Sequence, residues 1–369
     1  MQVINKVIDD IRLQYPLEKV CNINECLFLD IETTGFTART SNLYLIGCAY
    51  FKDGNWNSIQ FFAENYSEER EVLERFFEFA EDYRFLIHFN GNNFDIPFII
   101  SKCQELGIDK NLDSFGGIDI YRRITPYKNF LKLENCKQKT IEKFLKIDRE
   151  DKYSGSDLIG MYHLFVSSRD AATGELLLLH NFEDIKGMLA ILPVLAYSDL
   201  FNDKIKVTKV AANHFKDYTG NDRTEVLMTF DMPSPLPVPV STTSGRCYFA
   251  GAAGQGMLRV PLIEEELKYF YANYKEYYYL PDEDVALHKS VAKFADHANR
   301  VPATATTCYT RKRSRFLPEW DALVMPFFKR DYSDKNFFFD LNDNMKKSRF
   351  AMSLYGCHVV AHLLGLRQK

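Results

Sequence analysis

Near the N-terminus the stretch Leu27-Phe28-Leu29-Asp30-Ile31-Glu32-Thr33-Thr34-Gly35 sets two carboxylates one residue apart in an apolar run. Read as a β-strand, it alternates. Leu27, Leu29 and Ile31 point to one face, and Phe28, Asp30 and Glu32 to the other. Burying two acids side by side without a positive partner costs several kcal/mol for each. No Lys or Arg lies within six residues on either side of the pair. A hard divalent cation is the simplest partner, because Asp and Glu oxygens are its preferred ligands. A strand-end carboxylate can also face solvent, so the decision rests on whether the chain supplies more acids in suitable places.

A chain of 369 residues, 46% hydrophobic and 26% charged, can bury an ample core, in two domains or one large one. A formal charge of −4 excludes a globally basic nucleic-acid binder and leaves only local patches for that role. The eight cysteines are scattered with no C-x-x-C pair, which predicts reduced thiols and a cytoplasmic protein. Residues 1–15 read as an amphipathic helix, with Val3, Ile4, Val7, Ile8 and Ile11 apolar and Asp9, Asp10 and Arg12 polar. A helical N-terminus is therefore expected over 1–24. No run of about 18 apolar residues occurs, so no membrane span is expected.

Residues 44–51 and 59–62 read as strands around a hairpin turn at Asp53-Gly54, and residues 68–81 as a helix. The strand at 85–89 leads into Asn90-Gly91-Asn92-Asn93-Phe94-Asp95, a turn that opens a helix with Pro97 in its first turn. Asp95 at that junction is either a helix cap or a further acid of the site. Residues 121–152 hold ten Lys or Arg against five Asp or Glu, among them Arg122, Arg123, Lys128 and Lys132. Such a run is a solvated face or a phosphate contact. Two segments could supply one more acid. Asp157 starts a helix over 158–168, with Tyr153 four residues before it. Asp184 lies in or near the first turn of an apolar helix, with His180 four residues before it. Gly187 would admit a neighbouring backbone to that second helix.

The ordered set of a strand D-x-E, N-x-x-N-F-D at a helix start, and a His four before a helical Asp resembles the four-carboxylate 3′–5′ exonucleases of the RNase H-like superfamily. In particular it resembles a bacterial family of predicted RNase H-like exonucleases, itself similar to the proofreading domain of family B DNA polymerases. The resemblance covers residues 25–200 and implies a domain there with a mixed α/β sheet flanked by helices, followed by a smaller accessory α+β domain over 201–369. It implies metal ligation by Asp30, Glu32, Asp95 and Asp184, with two Mg²⁺ or Mn²⁺ ions as cofactors. His180 would orient or deprotonate the attacking water, and Asn90 and Asn93 would accompany Asp95 against a single-stranded or 3′ end. The third motif departs from the family. Its subclasses carry Tyr four residues before the last Asp or His five before it, whereas this chain has His at the Tyr spacing. Tyr153 and Asp157 also fit that spacing; Asp184 is preferred because its helix is apolar enough to pack on a sheet.

Beyond residue 201 no family is recognisable. Residues 224–232 read as a strand, 233–239 as an irregular proline-rich connection, and 281–284 as the acidic opening of a helix. His358 and His362 have the i, i+4 spacing of a zinc pair but lack a metalloprotease Glu, so core histidines are expected. The segment from Tyr309 through Arg311, Lys312, Arg313 and Arg315 to Phe316 is a solvated loop or a strand-binding surface. The function expected is metal-dependent hydrolysis of nucleic acid, and the resemblance implies that it proceeds exonucleolytically from the 3′ end. A non-catalytic nucleic-acid binder that keeps the fold, or a metal-dependent endonuclease, are the alternatives.

Overall fold

The computed structural model describes residues 1–9, 11, 13–149, 153, 155–293 and 300–365. The chain divides into two units, residues 1–199 with 236–238, and residues 200–235 with 239–369. The strands of the first unit are β1 (Gln2–Val7), β2 (Cys26–Thr33), β3 (Leu43–Lys52), β4 (Asn55–Phe62), β5 (Phe85–His88) and β6 (Gly116–Asp119). Its helices are α1 (Glu69–Ala80), α2 (Asp95–Leu106), α3 (Ile120–Ile124), α4 (Gln138–Leu145), α5 (Gly155–Ser168) and α6 (Ala171–Ile191), after which α7 spans Ala196–Asn202.

The six strands form one mixed sheet in the order β1-β4-β3-β2-β5-β6. The meander β2-β3-β4 is antiparallel, and its β3-β4 hairpin turns through Asp53 and Gly54, both at positive φ as a tight primed turn requires. β5 and β6 then run parallel to β2, so the C-terminal ends of these three strands share one edge of the sheet. In open α/β sheets this edge is where ligands bind. β2 is buried along both faces, as its central place demands. Leu27, Leu29 and Ile31 join one core with Val72 and Phe76 of α1 and Phe98 and Ile99 of α2. Withdrawing a ring such as Phe76 from water contributes about 1.5–3 kcal/mol.

The N-terminal segment is not a helix. Residues 2–7 form β1, paired antiparallel to β4 with Gln2 opposite Phe62 and Val7 opposite Asn57. The apolar spacing fits a helical period, but Val3, Ile4 and Val7 are β-branched, and β4 offers its otherwise unpaired edge to their backbone. Asp10 and Arg12, read as part of that helix, lie outside the described residues.

The second unit contains β7 (Lys206–Lys216), β8 (Asp222–Ser244), β9 (Cys247–Phe270), β10 (Tyr277–Leu280), β11 (Val285–His288), β12 (Val301–Pro302), β13 (Tyr309–Glu319), β14 (Phe327–Phe328) and β15 (Phe337–Asp340). One sheet has the order β14-β15-β13-β9-β8-β7 and another β11-β10-β12; the helices are α8 (Lys289–Ala292), α9 (Asp343–Lys347) and α10 (Arg349–Leu364). Three expectations are corrected here. Residues 233–239 continue β8 instead of leaving the sheet. Pro233, Pro235, Pro237 and Pro239 recur every second residue, which puts their missing N–H groups along one side of the strand, and the β7 pairing has already ended at Asp231. Residues 281–284 open no helix but turn between β10 and β11, where Asp284 accepts hydrogen bonds from the hydroxyls of Tyr279 and Tyr309. Residues 309–316 are not a loop; they lie in β13, in register with β9.

His358 and His362 sit on α10 as structural histidines. The Trp320 N–H donates to His358 Nε2 at 3.0 Å, and the Trp320 ring stacks on His362 at 3.6 Å. Among the described residues no helix is long and apolar enough to cross a membrane.

Candidate functional site

The site is assembled from β2, the β5-α2 junction and the middle of α6. Asp30 and Glu32 come from β2, where the alternation that puts Leu29 and Ile31 in the apolar core turns both acids to the other face. Asp95 is the first residue of α2, and its carboxylate does not cap that helix. Its Oδ1 instead accepts the Ile31 N–H at 3.2 Å, between Asp30 and Glu32 in sequence. This bond fastens the start of α2 to β2 and sets a third acid beside the first two.

His180 and Asp184 lie well inside α6, a helix of 21 residues, so Asp184 is not in a first turn as its sequence neighbourhood indicates. Four residues apart, both side chains meet on one face. His180 Nε2 is 3.2 Å from Asp184 Oδ2 and 3.8 Å from Glu32 Oε1. One ligand atom from each of Glu32, His180 and Asp184 falls within 4.8 Å of the others, spacing that suits a single cation. Asp157 is exposed in the first turn of α5 and is not a member of that group.

Burial and mutual repulsion mark these acids. Burial pushes the Asp30 carboxyl well above the usual carboxylate range, and the charges of Asp184, Glu32 and Asp95 push it further. Asp95 is raised to about 7, chiefly by burial, against the hydrogen bonds from backbone N–H groups that oppose it. Asp184 runs the other way: burial would raise it, but the hydrogen bond and charge of His180 and the Arg149 guanidinium together hold it below its ordinary value. Acids that repel one another when buried, with oxygen ligands converging, are the donor set a hard divalent ion neutralises.

Two functional neighbours escape the sequence reading. Asn181 Nδ2 donates to Asp30 Oδ2 at 2.9 Å, while Asn181 Oδ1 accepts from Gln60 Nε2 at 2.9 Å. The signal was present: Asn181 lies one turn before Ile185 on a stripe that is otherwise apolar, where a polar residue needs a partner. Gly47, opposite Asp30 on β3, makes room for it. A Cβ there would lie 1.9 Å from Asn181 Oδ1 and 2.3 Å from Ile185 Cδ1. Gly47→Ala is expected to cost about 1–3 kcal/mol through overpacking, read as a lower urea midpoint. An unchanged midpoint would show that α6 does not depend on this close approach. The second neighbour is Arg149, whose Nη1 lies 2.6 Å from Asp184 Oδ1 and 3.2 Å from Glu142 Oε1 of α4. Gly187 serves this contact; it admits the Glu142 and Gln138 side chains to α6, not a neighbouring backbone.

The nucleic-acid candidates fall in two places. Asn90, at positive φ, accepts at Oδ1 from exposed Asn93 at 2.7 Å, and its own N–H donates to Asp119 at the end of β6. Arg122 and Arg123 follow on α3 and are exposed, with Lys128 just beyond and half-buried. Asn90 and Arg122, both against Asp119, thus stand at the C-terminal ends of β5 and β6, the sheet edge on which the acids lie. Arg311, Lys312 and Arg313 are in the second unit, on β13. Arg311 pairs with Glu266 and Asp284, and Lys312 Nζ with Asp340 at 2.7 Å. Much of the positive charge of that segment is balanced locally.

Comparison with known proteins adds the fold's affiliation: a family model of the RNase H superfamily matches residues 27–196. Those residues form an RNase H superfamily domain. A DNA polymerase of Ostreid herpesvirus 1 is 39% identical over 51 residues, 13% of this chain and 3% of that protein. DNA polymerase 1 of Sulfurisphaera ohwakuensis is 42% identical over 43 residues, 12% of this chain and 5% of that protein. The chain thus spans only a small fraction of these curated relatives. Among solved structures, the family B DNA polymerase of Pyrobaculum calidifontis aligns with a TM-score of 0.38 at 12% identity, over 68% of this chain and 35% of that one. Escherichia coli exonuclease I in complex with a dT13 oligonucleotide aligns with a TM-score of 0.28 at 11% identity, over 56% of this chain and 55% of that one. Within the RNase H domain the acidic cluster sits at the C-terminal edge of its parallel strands, and this fold implies dependence on a divalent metal.

Proposed function

We propose that this protein is a metal-dependent nuclease that shortens a nucleic-acid strand from its 3′ end. The observation that supports the reading most is the convergence of Glu32, His180 and Asp184 within 4.8 Å in an RNase H superfamily domain, with Asp30 on the strand of Glu32 and bonded to Asn181 of α6, and Asp95 bonded to that strand at Ile31. Asp30, Glu32, Asp95 and Asp184 are the residues that would hold Mg²⁺ or Mn²⁺. Two such ions, when bound, neutralise charge on the attacking and leaving oxygens of a phosphodiester and acidify a water molecule.

The protein's own groups have separate tasks. Asn181 fixes the Asp30 carboxylate through Nδ2, and Gln60 fixes Asn181 in turn. His180 Nε2, which gives its proton to Asp184 and lies near Glu32, would hold those carboxylates in place and orient a water in the cluster. Asn90, Asn93, Arg122, Arg123 and Lys128 would meet the backbone of the strand, since phosphate contacts come mainly from Arg, Lys and Asn. Preference for a 3′ end rests on the family resemblance alone.

The deciding assay uses a 5′-labelled single strand in Mg²⁺, beside a circular strand of the same sequence. A ladder of products that shortens from the 3′ end, no loss of the circle, and no products in EDTA are expected. Cleavage of the circle would make the protein an endonuclease, and binding without cleavage a non-catalytic binder.

A further inference from the structure

The carboxylate of Asp184 is engaged at both oxygens. His180 Nε2 lies 3.2 Å from Oδ2, and Arg149 Nη1 lies 2.6 Å from Oδ1. Arg149 is largely buried, and its cradle is elaborate. Nη1 also reaches Glu142, at 3.2 Å from Oε1 and 3.5 Å from Oε2, and Glu142 itself is buried. Gln138 Nε2 donates both to Glu142 Oε1 at 3.0 Å and to the Asp184 backbone carbonyl at 2.9 Å, tying α4 to α6. Gly187 leaves room for this, since a Cβ there would stand 2.3 Å from Glu142 Oε1.

A buried guanidinium is costly unless its donors are matched by carboxylates, and among the described residues two are supplied. One, Asp184, belongs to the acidic cluster. The other, Glu142, lies outside it. A divalent ion drawing on Asp184 Oδ1 meets a positive charge already there, and two cations on one oxygen repel each other strongly in a site shielded from water.

Resting on the metal-site reading above, we propose that Arg149 is a positioning residue that stands in for a cation at Asp184 and competes with the divalent ion for that carboxylate. In the metal-free protein it neutralises Asp184 and holds it in place. When an ion binds, the guanidinium gives up Asp184 and is retained by Glu142, so the site is never left with Asp184 charged and unpaired. Selection for ions of high charge density follows, because only such ions outcompete a fixed guanidinium.

The test measures Mn²⁺ binding to the full chain by titration calorimetry, without nucleic acid, together with thermal midpoints in EDTA and in Mn²⁺. Wild type is compared with Arg149→Gln, with Asp184→Asn, and with the double variant Arg149→Gln/Glu142→Gln. The double variant avoids a buried unpaired Glu142 and decides the matter if the single variant does not fold. Removing the guanidinium should tighten Mn²⁺ binding on the order of tenfold. The midpoint in EDTA should fall, and the gain in midpoint on adding Mn²⁺ should exceed that of wild type. Affinity unchanged or weakened in the variants, with Asp184→Asn still abolishing binding, overturns the competition while sparing the metal site. Equal Mn²⁺ binding by wild type and Asp184→Asn overturns both.

Discussion

Asp184→Asn is expected to lower the single-turnover rate of strand cleavage by about 10²–10³, equivalent to about 3–4 kcal/mol in the barrier. The substitution keeps size and a hydrogen-bonding oxygen but removes the charge that both His180 and an ion would use. Asp157→Asn is the matched control. Asp157 is exposed in the first turn of α5, and its loss is worth at most a helix-terminal interaction of about 1 kcal/mol of stability, with chemistry nearly unchanged. His180→Ala should fall between them, since part of the orienting role can pass to the carboxylates themselves. Quench-flow on a labelled single strand at saturating Mg²⁺ separates the three. A dead Asp157→Asn beside an active Asp184→Asn would transfer the third motif to Tyr153 and Asp157 and dissolve the site as drawn above.

How much of this was legible in the sequence follows from which contacts are local. The β2 acids were legible because strand alternation is a local rule: Asp30 and Glu32 must share a face, and Leu29 and Ile31 must oppose it. The His180–Asp184 pair was legible for the same reason at helical spacing. The extent of α6 was not, because Thr173 and Gly174 at its start disfavour helix on propensity alone, while Gly174 is in fact buried and its helix is capped by Asp170 at Thr173 N–H. β1 was misread since its apolar spacing fits the helical period, and only β-branching and the open edge of β4 decide for a strand. Arg149 and Asn181 were missed for a different reason. Their significance lies in partners 35 and 151 residues away, which no periodicity encodes. In β13 the local reading of a basic, aromatic segment was sound in composition, but its pairing with Glu264, Glu266 and Asp340 only appears once β9 and β15 are in register.

Stability in EDTA should fall as pH rises from about 5 to 8, opposite to the usual behaviour of carboxylates that are paired in the native state. The sign comes from Asp95. Its ordinary carboxylate value is 3.8, and burial with its acidic neighbours raises it to about 7 in the folded protein. Between those values the folded chain holds a proton that the unfolded chain has released, so each pH step upward favours unfolding. Over the full interval from 3.8 to about 7 the loss from this one group amounts to about 4 kcal/mol. Asp30 is shifted in the same direction, by burial first and then by Asp184, Glu32 and Asp95, and it steepens the trend. Asp184 opposes it only at low pH: its carboxyl is lowered, so its contribution is present above the ordinary carboxylate value and is lost as acid is added. Urea midpoints at pH 5, 6, 7 and 8 in EDTA measure the slope directly. Asp95→Asn removes the titrating group while keeping an oxygen to accept the Ile31 N–H, and should flatten much of the decline. Saturating Mg²⁺ or Mn²⁺ should flatten it as well, because ions bound to deprotonated carboxylates favour the folded state increasingly as pH rises. Midpoints that stay level or climb from pH 5 to 8 in EDTA would mean that the acids on β2 and α2 are not held protonated by burial and by one another, and the cluster would lose its claim to a divalent ion.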